Sequence, residues 1–197
     1  HLWHLRERVK GNCQLSTFVP VFLVPLVIYA LSNRVLVNSK YLYGAYDHFL
    51  LRNKLSVVYN GVNIEKFNID KVLASQDLKY ELNIPYNHKL VVIIGSIIPR
   101  KGQLLLVNAA SIFLSAVPNV SVLIVGDRES QSEDYLNLVK TNISDNGLDK
   151  YFYFLGWRND IPRILASSDV LIIAANDEPF GRTVIEAMAA GVPVVST

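Results

Sequence analysis

Two carboxylates and a run of small residues stand out near the C-terminal end of the sequence, in "NDEPFGRTVIEAMAAGVPVVST". Glu178 and Glu186 lie eight positions apart, with Pro179, Phe180, Gly181 and Arg182 between them. The pattern predicts a helix that begins at about Gly181 to Thr183. The first amides of a helix have no partners inside it and carry positive potential, which makes a site for phosphate. Gly181 lets the backbone come close to a ligand. A carboxylate cannot take up phosphate, but it accepts hydrogen bonds from sugar hydroxyls. A ligand with phosphates in the middle and hydroxyls at both ends satisfies all these groups. A sugar nucleotide has that order: sugar, diphosphate, ribose, base.

Two further loops carry polar residues. In "GSIIPRKG", Ser96 opens the loop and Arg100 and Lys101 precede Gly102. Their charges suit a diphosphate, the more so as negative charge builds on it when the sugar leaves. In "GDRES", Asp127 follows an apolar strand. Each residue has a plainer explanation. An Arg-Lys pair is often solvated surface, acids near helix starts are common for electrostatic reasons, Asp127 suits a cap, and Trp157 suits packing. Their recurrence at the same ends of successive strands is what points to a site.

The elements that must position these groups alternate from Lys89 onward. "KLVVIIGS", "NVSVLIVGD", "YFYFLGW", "DVLIIAA" and "GVPVVST" read as buried strands. "GQLLLVNAASIFLSAV", "SEDYLNLVKTNISDNGL", "NDIPRILASS" and "RTVIEAMAA" read as the helices between them. Continuous apolar strands separated by helices imply a parallel sheet covered on both faces. The fold class is α/β, a Rossmann-like doubly wound sheet, in which ligands bind beyond the carboxyl ends of the strands. Upstream, "RVLVNS", "KYLYGAYDHFLLR" and "KLSVVYN" repeat the theme weakly, and "NGVNIEKFNID" reads as a turn and linker. The expected division is therefore a partial N-terminal α/β domain over 1–60 and a nucleotide-sugar-binding domain over 61–197. The final strand stops where the chain stops, so the sequence reads as a piece cut at both ends.

The 197 residues are 51% apolar and 18% charged, which supports a sizeable core and argues against disorder. A net charge of +2 gives no footprint for nucleic acid. Cys13 is the single cysteine, so no internal disulfide forms. His1 and His4 have the spacing of one helix face but are not expected to hold a metal. The run from Phe18 to Leu31 is shorter than the ~20 residues of a spanning helix and contains Pro20 and Pro25. It reads as a buried helix, with contact to a membrane surface as the alternative.

These residues match a known family. "EPFGRTVIEAMAAGVPVV" resembles the E-x7-E signature of retaining glycosyltransferases of the GT-B type, in particular family four, the glycosyl transferases group 1. "YNGVNIEKF" is similar to that family's linker, "GSIIPRKG" to its phosphate loop, and "FLGW", which contains Leu155, to its base pocket. The resemblance implies that Glu178 faces the donor-sugar hydroxyls and that Phe180, Gly181 and Arg182 line the sugar and diphosphate. It also implies that Glu186 holds the ribose and Lys101 the diphosphate, so that Glu178 and Lys101 are the catalytic pair. Ser96, Arg100, Asp127, Leu155 and Thr183 complete the expected donor site. No metal or other cofactor is expected, and no Asp-x-Asp pair occurs. Partners would be a UDP- or GDP-sugar and a saccharide or lipid-linked acceptor, in the cytoplasm or at the cytoplasmic membrane face. Two departures stand out. Ser96 occupies the place of the family's usual arginine, with Arg100 nearby as a substitute charge, and Asn63 replaces the usual linker aspartate. The alternatives are a non-catalytic nucleotide-sugar-binding module and a UDP-hexosamine epimerase. A nicotinamide oxidoreductase is excluded because no strand is followed by G-x-G-x-x-G.

Overall fold

The computed structural model describes residues 1–6, 20–47, 50–130 and 132–197. Cys13, Phe18 and Val19 lie outside them. Contacts divide the chain into two units. One joins His1–Gly61 with Glu178–Arg182, and the other joins Val62–Asp177 with Thr183–Thr197.

The first unit holds a three-stranded parallel sheet, β1 (Leu2–Leu5), β2 (Arg34–Val37) and β3 (Leu55–Val57), in that order. Helices α1 (Val24–Leu31) and α2 (Lys40–Tyr46) accompany it. Val35 and Val37 alternate into a core with Val24, Ile28, Leu42, Leu51 and Leu55. β1 has no counterpart among the elements expected from sequence, and it places His4 on a strand rather than a helix face. α1 is buried on one stripe only, through Val24 and Ile28, while Leu26, Tyr29 and Leu31 are exposed. Pro25 stands in its first turn, where a missing N–H costs nothing, so it starts the helix rather than interrupting it. Ser39 caps α2 by accepting from the Leu42 N–H at 3.1 Å. α2 ends at Tyr46, short of the span its sequence suggested. Among the described residues, no helix is long and apolar enough to cross a membrane.

The second unit opens with α3 (Lys71–Glu81), a stretch between the linker and Lys89 to which the sequence pattern assigns no element. Its apolar pattern is weak, and Asp70 starts it by accepting from the N–H groups of Val72 and Leu73. Then come β4 (Lys89–Ile94), α4 (Gln103–Ala116), β5 (Val120–Val125), α5 (Glu133–Asp145), β6 (Phe152–Gly156), α6 (Ile161–Ser167), β7 (Val170–Ile173), α7 (Arg182–Ala189) and β8 (Val194–Ser196). All strand pairs are parallel, in the order β6-β5-β4-β7-β8. The chain winds from β4 outward to β6, returns to the other side of β4 and winds out to β8. The reversal between β4 and β7 is the switch point at which such sheets open a crevice.

Alternate residues of each strand feed two cores, one on each sheet face. Val91, Ile93, Val122 and Ile124 pack against α4 and α5. Leu90, Val92, Leu123 and Leu171 pack against α3, α6 and α7. All six residues of β5 are buried, as a strand covered on both faces requires.

Two glycines set the loop spacing at the carboxyl edge. Gly102 has φ +74°, and a Cβ on it would lie 1.9 Å from the Ala174 carbonyl oxygen. Gly126 has φ +133°, and a Cβ there would lie 2.2 Å from the Gly95 carbonyl oxygen. The loops after β4, β5 and β7 thus touch backbone to backbone. Gly102→Ala combines backbone strain with overpacking, and we expect it to lower unfolding stability by about 3 kcal/mol or more. Urea unfolding of the purified chain measures this.

An ion network ties the end of α3 to the start of α6. Glu81 accepts from Arg158 at 2.7 Å and from Arg163 at 2.5 Å. Asp160 takes Arg158 in a two-pronged contact, 2.8 Å on each prong, and Arg163 at 2.9 Å. Hydrogen bonds from Arg158 foremost, then from Arg163, hold both carboxyls below their ordinary range, against the opposing effect of burial. A carboxyl depressed in the folded state stabilises it above the unfolded pKa, near 4, and loses that contribution as pH falls toward the folded value. Asp160→Asn should cost about 1 kcal/mol at pH 7, since water still reaches these side chains. Denaturant unfolding from pH 7 down to 2 should show the gap between wild type and variant closing below about pH 4.

Candidate functional site

The loop after β4 is built almost entirely from backbone contacts. The Gly95 N–H donates to the Val125 carbonyl at 2.9 Å, and the Ile97 N–H to the Asp127 carbonyl at 2.9 Å. Pro99–Lys101 form one turn of 3-10 helix, and Gly102 then starts α4. Gln103, which is almost fully buried, braces the loop by donating from Nε2 to the Ser96 carbonyl at 3.0 Å. The Tyr135 hydroxyl accepts from the Leu104 N–H at 3.1 Å, which satisfies an amide at the start of α4. The Lys101 stem lies over Gly95: its Cδ and Cε are 3.5 Å from where a Gly95 Cβ would stand. That is ordinary van der Waals distance, and it is the φ of +147° that favours glycine at this position.

Arg100 is engaged with the loop after β7. Its Nη1 donates to the Asp177 carbonyl at 3.0 Å, and its own carbonyl accepts from the Asn176 N–H at 3.1 Å. Sequence reading offered Arg100 as a substitute for the charge missing at Ser96. In the structure its guanidinium has a backbone partner on the neighbouring loop.

Beyond β7, Glu178 is half-buried and its Oε1 accepts from the Gly181 N–H at 3.3 Å. One amide that sequence reading left open to an anion thus has a carboxylate within reach. Phe180 contacts the Tyr59 ring, with centroids 6.5 Å apart and planes tilted by 36°. Gly181 is buried and has φ +74°, a left-handed conformation that favours glycine. α7 begins at Arg182, which is exposed, and Thr183 follows it in the first turn. Glu186 lies one turn into α7 and is only 8% exposed, so it is not a solvent-facing acid.

The remaining expected residues sit at the same sheet edge. Asp127 follows β5 and is exposed, and its Oδ1 accepts from the Arg128 N–H at 2.8 Å. Leu155 is half-buried on β6 and packs against the face that includes Leu123 and Val125. Trp157 is 72% exposed, so packing does not explain it. Ser96, Arg100, Lys101, Asp127 and Leu155 thus share the carboxyl ends of β4, β5 and β6. Glu178, Phe180, Gly181 and Arg182 group instead with the N-terminal unit. Tyr59 and Gln103 were missed by sequence reading. A lone tyrosine before a turn gives no signal, and Gln103 shows its role only once the loop above it is folded. Among the described residues, no group of three or more His, Cys, Asp or Glu could hold a metal ion.

Known proteins resemble this chain. The family model described as "Glycosyl transferases group 1" matches residues 75–197. The chain is 34% identical over 146 residues to the UDP-Gal:alpha-D-GlcNAc-diphosphoundecaprenol alpha-1,3-galactosyltransferase of Escherichia coli, covering 72% of this chain and 36% of that protein. It is 30% identical over 151 residues to the D-inositol 3-phosphate glycosyltransferase of Corynebacterium efficiens, covering 73% and 35%. Among solved structures, Anabaena HepE in complex with UDP and glucose superposes with a TM-score of 0.86 at 26% identity, covering 99% of this chain and 52% of that one. The chain therefore spans about a third of the length of these curated relatives and about half of the solved one. On the extent of the family match and the identity to the E. coli enzyme, the chain belongs to the glycosyl transferases group 1 family, within the GT-B fold.

Proposed function

We propose that this chain is the donor-binding part of a glycosyltransferase that moves a sugar from a nucleotide diphosphate to a saccharide or lipid-linked acceptor, with retention of configuration. The observation that carries the reading is the switch point between β4 and β7. There a backbone-built loop presents Lys101, and the β7–β8 connection carries the E-x7-E pair around a helix start. The E. coli relative is named for UDP-Gal, and Anabaena HepE was solved with UDP-glucose, which favours uridine as the base.

Each group has a distinct task. The α7 amides and the Lys101 ammonium take the diphosphate, whose charge grows as the glycosidic bond breaks. No metal is needed for that neutralisation. Glu186, held on a helix and largely out of solvent, takes the ribose hydroxyls. Glu178 takes the hydroxyls of the donor sugar and, with Phe180, fixes its orientation. Leu155 borders the base, and Asp127 and Ser96 lie on the loops beside it. The reading places transfer in the cytoplasm or at the cytoplasmic face of the membrane.

Replacing the two glutamates should give opposite patterns. Glu186→Gln should weaken UDP and UDP-glucose alike, by about tenfold or more. Glu178→Gln should leave UDP within about twofold and weaken UDP-glucose, because only the sugar is affected. Calorimetric titration of both ligands separates them. Equal loss of UDP affinity in the two variants would reverse or abolish the proposed orientation.

Lys101→Ala removes a charge-assisted contact of about 1.5–3 kcal/mol, so UDP should bind roughly 10- to 100-fold more weakly while uridine is unaffected. Parallel losses for UDP and uridine would place Lys101 away from the phosphates.

A further inference from the structure

Arg100 and Lys101 are neighbours in sequence, yet they do different things in space. Lys101 folds its stem back over Gly95, on its own loop. Arg100 reaches across the switch point and is tied twice to the loop that follows β7. Its carbonyl takes the Asn176 N–H at 3.1 Å, and its Nη1 donates to the Asp177 carbonyl at 3.0 Å. The side chain is half-buried. Two residues further on, Gly102 lies so close to the Ala174 carbonyl that no Cβ would fit. Within Ala174–Asp177, three backbone positions are therefore set by the stretch Arg100–Gly102.

The next residue after Asp177 is Glu178. A peptide carbonyl held by a guanidinium has little freedom to rotate, and that freedom would otherwise pass to the following residue. Hydrogen bonds to a charged donor are worth about twice neutral ones, and arginine's planar fork loses less entropy in making them.

We propose that Arg100 is a positioning residue. It clasps Asn176–Asp177 across the switch point and so fixes the backbone from which Glu178 meets the donor sugar, leaving the diphosphate to Lys101. This rests on the donor-site reading above and adds to it a division of labour between the two cations. It also assigns Arg100 a role other than replacing the charge absent at Ser96.

The test uses the whole chain and four proteins: wild type, Arg100→Met, Arg100→Lys and Lys101→Ala. Each is titrated with UDP and UDP-glucose, and its amide hydrogen exchange is followed over residues 174–178. Arg100→Met keeps the main-chain carbonyl that takes the Asn176 N–H and loses only the Nη1 bond to the Asp177 carbonyl, so it should keep UDP within about twofold, weaken UDP-glucose about fivefold or more, and speed exchange of the Glu178 N–H, which shares that peptide. Arg100→Lys keeps the reach and one donor, so it should recover most of the UDP-glucose affinity and the slow exchange. If Arg100→Met weakened UDP as strongly as Lys101→Ala, Arg100 would be a phosphate ligand and the proposal would be overturned. Unchanged UDP-glucose binding in Arg100→Met would overturn it as well. If wild type bound neither ligand, or Lys101→Ala bound both as wild type does, the donor-site reading would fail by itself. The clasp would then stand or fall on the exchange rate of the Glu178 N–H alone.

Discussion

Two backbone contacts at the carboxyl edge of the five-stranded sheet govern the rest of the site. Gly102 sits against the Ala174 carbonyl and Gly126 against the Gly95 carbonyl, each too close for any side chain. The loops leaving β4, β5 and β7 are consequently one packed layer. Side chains that stand on this layer inherit its rigidity. Lys101 has only its own rotamers to settle, because the turn beneath it is held by the Ser96–Gln103 and Ile97–Asp127 hydrogen bonds. A site built to within fractions of an ångström needs such support beneath the groups that touch ligand.

The same layer explains why chemistry gathers at one end of this sheet. All five strands run parallel, so every strand delivers its carboxyl end to the same edge. The reversal between β4 and β7 parts the crossover helices there. Residues that are 75 or more positions apart, such as Arg100 and Asp177, become neighbours through that topology. The opposite edge receives other work. There Lys89 pairs with Asp169 at 3.0 Å and Lys71 donates to the Gly191 carbonyl at 2.7 Å, contacts that close strand and helix ends.

How much of this was legible in the sequence depended on the strength of the pattern. The strands β4 to β8 and helices α4 to α7 were readable, because long apolar runs broken by glycine leave few alternatives. α3 was not, since its apolar residues are sparse and its start depends on one capping aspartate, Asp70. β1 has four residues and exists only through pairing with β2. In the site, the residue types and their order were visible, and the sheet edge followed from the fold. The direction of each side chain was not. The sequence does not show that the Arg100 guanidinium donates to the Asp177 carbonyl of a neighbouring loop, nor that Trp157 is exposed. Periodicity reports which face a residue takes, but a loop side chain answers to contacts distant in sequence.

The two acids of the E-x7-E stretch show what spacing alone leaves undecided. Both flank one helix start. Structure separates them by burial and by the element that carries each. Glu186 lies on α7, where its main chain is fixed by the helix and its carboxylate is nearly out of solvent. Glu178 lies on the preceding loop, half-buried, with its Oε1 near the Gly181 amide. A carboxylate on a helix can be held for one invariant partner, such as the ribose of every uridine nucleotide. A carboxylate on a loop depends on whatever fixes that loop, and it suits the part of a donor that differs from one enzyme to the next. Under the proposed reading, the constant half of the ligand meets the rigid acid and the variable half meets the adjustable one. The clasp by Arg100 is what would keep that adjustable acid in register.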